Sequence, residues 1–258
     1  MTRLIRVTLL LALAAIVPAT SRAQTTTLTG AAKWADSASR MIDKATLSGS
    51  ADQYAAARTL LDRALVAFPN DPLLLHYQGY ERYREGYSLY GQGKASEVPM
   101  MMELARSSLE KSSSIKPMPE TNSLLASVLG TLIGTDPSQG MTLGPMIQQE
   151  ASTAMSTGAG NPRVWLLSGI SAFYTPPEYG GGVANAEKQL RQAITLFDAD
   201  HPVPPAPSWG KAEAYAWLGQ VLEKQNKKAD AIAAYEKALT IAPDYNWVKF
   251  VLLPAAKK

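Results

Sequence analysis

Residues 212–245 read AEAYAWLGQVLEKQNKKADAIAAYEKALTIAPDY, two amphipathic segments joined at the polar stretch Gln225-Asn226-Lys227-Lys228. This 34-residue unit limits what the chain can fold into, because two short helices with one apolar face each cannot bury those faces alone. Small Gly219 and Ala231 allow the two antiparallel helices to approach closely. Large Tyr215 and Tyr235 fill the space beside them, and Pro243 stops the second helix. At least about three such units must stack before a continuous core closes.

The same skeleton recurs upstream. Trp165, Gly169, Ala186, Leu190 and Ala193 follow it, with five extra residues around Pro176-Pro177-Glu178-Tyr179-Gly180-Gly181-Gly182. Gly79, Ala105, Leu109, Ser112 and Pro117 give another copy, with 14 extra residues between its helices. Ala57, Leu61, Ala64 and Pro69 mark the second helix of an earlier one, whose first helix falls near Ala31 to Leu47. A further pair lies between Pro117 and Pro162, with Leu124, Leu125, Val128, Leu129 and Leu132 on one face and Ile147, Ala151, Ala154 and Met155 on the next. The degenerate copies thus span about 31–69, 72–117, 119–160 and 162–198.

Position by position, the clearest unit resembles the tetratricopeptide repeat. Tyr215 stands where that motif has tryptophan, Leu218-Gly219 match its Leu-Gly pair, and Leu222 replaces its tyrosine. Ala231, Tyr235, Ala238 and Pro243 follow in the second helix. The resemblance implies an all-α fold, a right-handed solenoid of about five antiparallel helix pairs over residues 24–258. Asp200 to Ser208, with Pro202, Pro204, Pro205 and Pro207, reads as a stiff extended spacer between the last two pairs. A last short helix with Trp247, Phe250 and Val251 on one side suits a C-terminal cap.

The chain begins like an export signal. Arg3 and Arg6 precede an apolar run from Val7 to Pro18, and Ser21-Arg22-Ala23 offers small residues for cleavage before Gln24. The run is short for a membrane span. A periplasmic or secreted location is therefore expected, with residues 1–23 as signal peptide and no stable membrane insertion after cleavage. The absence of cysteine suits an oxidising compartment. Three of the 25 basic residues and none of the 22 acidic ones precede Gln24, which leaves 22 of each beyond it. A broad basic surface for nucleic acid is not expected.

No catalytic pattern stands out. His76 and His201 are the only histidines, without the carboxylate spacing a zinc site needs, so neither metal nor cofactor is expected. Ser108-Leu109-Glu110-Lys111 fits S-x-x-K, but its companion motifs are missing. Gly180-Gly181-Gly182 precedes a helix, where free amides can bind an anion, yet the Lys-Ser/Thr pair of a phosphate loop is absent.

Tyr77, Tyr80, Tyr83, Tyr87 and Tyr90 form the most unusual series. On one helix they fall within about 140°, a continuous aromatic stripe that serves either as core filler or as the wall of a binding groove. In the family resembled, ligands lie in the concave groove made by the first helices of successive repeats. Carried over, that register puts His76, Tyr80, Tyr83 and Tyr87, then Phe173 and Tyr174, then Gln220 and Glu223 on the groove side. The expectation is a non-catalytic scaffold that holds a protein or peptide partner. The alternative is a small-solute-binding accessory of an envelope transport system.

Overall fold

The computed structural model describes residues 28–258; the proposed signal peptide lies outside them. Among the described residues, ten helices follow in order: α1 (Gly30–Ser48), α2 (Ala51–Ala67), α3 (Pro72–Gly91), α4 (Val98–Ile115), α5 (Pro119–Thr135), α6 (Gly140–Gly158), α7 (Pro162–Tyr174), α8 (Val183–Phe197), α9 (Lys211–Lys224) and α10 (Lys228–Ile241). A π turn at Val248–Leu252 and the short α11 (Leu253–Ala256) end the chain. Each odd helix packs against the even helix after it, and α1 with α3, α5 with α7 and α8 with α9 join pair to pair. The result is an all-α solenoid of five antiparallel pairs with a C-terminal cap, as the sequence implies.

Local chemistry sets the helix starts. Asp71 accepts hydrogen bonds from the amides of Leu73 and Leu74, and Asn161 from that of Arg163. In each case the next residue is the proline that opens the helix, where its missing amide costs nothing. The connections into α3, α5 and α7 therefore stay short, 68–71, 116–118 and 159–161. The connection into α9 is far longer, 198–210.

A single steric device repeats between the paired helices. A methyl group added at Gly219 would stand 2.3 Å from the Tyr235 ring, at Gly79 2.5 Å from Leu109, and at Gly169 2.8 Å from Leu190. Each glycine thus receives the bulky side chain of its partner helix directly against its backbone, which fixes both spacing and register within the pair. The 14 extra residues of the second copy form no long loop. They lengthen α3 and α4 to 20 and 18 residues, joined by a short turn, and Gly86 repeats the device there against Met102.

Two packing expectations need correction. In the α5–α6 pair, all five leucine and valine positions of α5 are buried, but on α6 the inward face is Leu143, Ala154 and Gly158. Ala151 is exposed, and Ile147 and Met155 are only half-buried. At the C-terminus, Phe250 and Val251 are 65% and 54% exposed, while Tyr245, Val248 and Ala256 point inward. The π turn adds a residue per turn and rotates the apolar positions away from simple helical spacing. Trp247 is half-buried and packs on Trp217.

The glycine device gives a test of opposite signs. Gly219→Ala is expected to destabilise by about 1–3 kcal/mol, because the Tyr235 ring must move. Gly130→Ala in α5, whose added methyl meets nothing within 4 Å, is expected to stabilise by about 0.5–1 kcal/mol through helix propensity. Thermal unfolding of the two variants beside wild type reads both signs.

Candidate functional site

The odd helices line the concave face, and side chains from all five converge there. The solenoid curls so far that its ends meet: the Asn246 amide donates to the Ser48 carbonyl at 2.8 Å, across 198 positions of sequence. Arg84 of α3 makes two hydrogen bonds, 2.6 and 2.5 Å, to the Glu213 carboxylate of α9. Fork-to-carboxylate pairing of this kind, with both groups largely buried, fixes the orientation of the two helices.

Into the space between them runs the long connection after α8. Residues 200–209 lie along the groove as a strap, which is not the extended spacer expected: proline-rich sequence turns the chain at Val203–Ala206, where the Ala206 amide donates to the Val203 carbonyl at 3.0 Å. Arg163 of α7 holds its start through Asp200 at 2.7 Å. The Tyr77 hydroxyl donates to the Pro205 carbonyl at 2.7 Å in its middle. At its end Trp209 stacks on Tyr80, ring centroids 4.8 Å apart and planes 17° from parallel. The guanidinium groups of Arg84 and Arg163 lie 5.2 and 5.9 Å from the indole.

Burial sets the electrostatics beneath the strap. Desolvation pushes the Asp43 carboxyl of α1 up to about 7, with Arg84 and Arg163 pulling the other way. It pushes the His76 imidazole down to about 4, so the ring is neutral, its Nδ1 2.9 Å from the Thr121 hydroxyl. Burial disfavours the charge on Arg84 as well, but Glu213 outweighs it and holds the guanidinium charged. His76 Nε2, Asp43 Oδ1, Arg84 Nε, Arg163 Nε and Trp209 Nε1 are buried without a partner among the described residues.

Beyond the strap the groove remains aromatic. Tyr83 packs edge-on against Tyr87 at 4.9 Å, and Tyr87 neighbours Tyr90 at 6.2 Å. Phe173 and Tyr174 both meet Trp217 at 5.7 Å, and Trp217 meets Trp247 at 5.6 Å. Burial first, then the nearby Tyr87 and Tyr90, push the Tyr174 hydroxyl up to about 12. Between α3 and α7, the face of α5 near Thr131, whose hydroxyl is 3.0 Å from that of Tyr87, also carries Ser127 and Gly134, within about 60° of it. Small residues there leave open space between the tyrosines of α3 and α7.

The eight residues expected at the groove divide accordingly. His76, Tyr80 and Tyr83 are buried, so this part of the stripe is core beneath and beside the strap. Tyr87 and Phe173 are half-buried, and Tyr174 is 64% exposed, as is Tyr90 at 46%. Gln220 is half-buried, and Glu223 accepts the Tyr235 hydroxyl at 2.7 Å, which ties its carboxylate to α10. Asp43, Arg84, Arg163, Trp209, Glu213 and Trp217 were not expected. The proline run ending in Trp209 was the one available signal for the strap, since a spacer exposed on all sides has no use for tryptophan.

Two other sequence candidates are used structurally. The Gly181 amide donates to the Pro176 carbonyl and the Gly182 amide to those of Ala172 and Thr175, so these amides are taken within the turn. A side chain at Gly181 would strike the Thr175 carbonyl at 2.0 Å. Ser108 donates to Gln78 and to the Leu104 carbonyl, and Lys111 to the Pro69 carbonyl.

Residues 212–245 match the tetratricopeptide repeat model. The whole fold resembles that of a thermophilic tetratricopeptide-repeat protein, TTC0263 of Thermus thermophilus. The two are 20% identical with a TM-score of 0.56, over 80% of this chain and 91% of that one. The family model thus shows one tetratricopeptide repeat, at residues 212–245 of an all-helical solenoid. A second solved structure, the HusA haemophore from Porphyromonas gingivalis, is 23% identical with a TM-score of 0.57, covering 76% of this chain and 96% of its own. At such identities the likeness concerns the fold. No curated protein matches the sequence.

Asp43 gives the site a pH signature. Its folded carboxyl titrates near 7 against an ordinary value of 3.8, so the native state favours the protonated form. The associated stability is full below the ordinary value and lost as pH rises through about 7. Asp43→Asn is expected to match wild type near pH 4 and to exceed it near pH 8, by on the order of 2 kcal/mol. Urea unfolding across that range measures the difference, and a variant weaker than wild type near pH 8 would contradict the assignment.

Proposed function

We propose that this protein is a non-catalytic binding scaffold of the cell envelope, holding a peptide segment of a partner protein at the aromatic end of its concave face. The carrying observation is a pair of neighbouring aromatic clusters, Tyr87 with Tyr90 and Tyr174 with Trp217 and Trp247, close enough that Tyr87 and Tyr90 act on the Tyr174 hydroxyl, with Tyr90 and Tyr174 open to solvent. Rigid, amphipathic rings give contact area at low entropic cost and mark the residue types that dominate binding energy. Repeat proteins of this family generally serve as interaction scaffolds, and the export-like N-terminus supports an envelope or secreted address.

A second reading, a small-solute accessory of an envelope transport system, draws on the likeness to the HusA haemophore. It ranks below the first because a solute carrier encloses its ligand. One depression among the described residues, about 340 Å³ between Pro119, Asn161, Asp200 and Pro207, is open and has no aromatic wall.

Tyr90→Ala with Tyr174→Ala removes the two exposed rings and no buried one. Affinity capture from an envelope extract, comparing wild type with this variant, is expected to show at least one partner lost while thermal stability is kept. Identical capture by a folded variant would sink the aromatic end as the site.

A further inference from the structure

The strap lies in the groove the way a bound peptide would. Three other connections of the same type close in three or four residues, whereas this one runs from 198 to 210, so its length is not required to join α8 to α9. Its contacts alternate: Pro207 and Trp209 are buried, while Val203, Pro204, Ala206 and Ser208 face solvent, Val203 at 76%. One backbone carbonyl, that of Pro205, takes the Tyr77 hydroxyl. Four prolines remove four amides that would otherwise need acceptors, and the middle of the segment is a turn, closed by the Ala206 amide on the Val203 carbonyl at 3.0 Å.

We propose that the half of the concave face beneath the strap is a recognition surface for turn-forming, proline-containing peptides that carry a large aromatic residue, and that residues 200–209 are its resident ligand, displaced by a partner segment of the same chemistry. This rests on the peptide-scaffold reading and names the class of peptide. The subsites are Tyr77 for a backbone carbonyl and the Tyr80 face, flanked by Arg84 and Arg163, for the aromatic ring. A second observation points the same way. His76 Nε2, Arg84 Nε and Arg163 Nε are buried on this face without partners among the described residues, hydrogen-bonding capacity that the proline strap leaves unused and a different peptide can engage. Tethering gives the strap an effective concentration on the order of millimolar, so a free peptide meets strong competition in the intact protein.

The test uses the full chain with 201–209 replaced by nine alternating glycine and serine residues, and a fluorescein-labelled peptide of sequence DHPVPPAPSW. Fluorescence anisotropy is expected to show saturable binding to this strap-free variant, at least about tenfold tighter than to wild type. Replacing the peptide's tryptophan with alanine is expected to abolish it. A folded strap-free variant that ignores the peptide, or binds both peptides equally, overturns the proposal and leaves the strap as core. If the strap-free chain does not fold, Trp209→Ala takes its place. The peptide is then expected to raise its melting temperature, and an unchanged melting temperature overturns the proposal. A concentration-dependent wild-type dimer that vanishes on strap replacement would instead assign the surface to a second copy's strap. Peptide binding should survive Tyr90→Ala with Tyr174→Ala, so the strap site and the aromatic end can fail separately.

Discussion

The contact between a helix backbone and the bulky side chain it receives is the constraint on which the remaining structure depends. Gly79 with Leu109, Gly169 with Leu190 and Gly219 with Tyr235 place the same close approach in three of the five pairs. Because the pairs share one internal geometry, stacking them produces a steady curvature instead of an irregular bundle. That curvature carries α9 back towards α3, where Arg84 reaches Glu213 across 129 residues of sequence. No local propensity would bring these two groups together.

Convergence then decides what the concave face can do. It buries His76, Arg84 and Arg163, with the Oδ1 atom of half-buried Asp43, near one another, which is costly unless charges pair and polar atoms find partners. Glu213 and Asp200 neutralise the two arginines, and Trp209 covers them with a flat, polarisable face. The strap therefore completes an electrostatic arrangement as well as filling space. What stays open is the end beyond Tyr83, where α5 contributes small side chains and the aromatic rings of α3 and α7 meet solvent. Binding capacity and structural core are adjacent parts of one aromatic stripe.

The helical solenoid was legible in the sequence, since glycine, alanine and proline at fixed offsets carry packing information that does not depend on distant contacts. The fate of the tyrosine stripe was not. Tyr80 and Tyr90 sit on one helical face with the same spacing, and they differ only in what lies opposite, which is a strap more than 100 positions away in one case and open solvent in the other. The C-terminal cap was misread for a local reason, a π turn that shifts Phe250 and Val251 outward. Arg84 and Glu213 could not be paired from sequence, as each alone reads as an ordinary surface charge on an amphipathic helix.

Both halves of the concave face take their character from whether the strap occupies the groove in the free protein. The cysteine-free chain accepts spin labels at exposed Val203 in the strap and exposed Glu103 on α4, introduced as Val203→Cys and Glu103→Cys. Double electron–electron resonance between them is predicted to give one narrow distance distribution in the free protein. A broad distribution, showing a strap that samples solvent instead of resting on Tyr77 and Tyr80, would contradict the account.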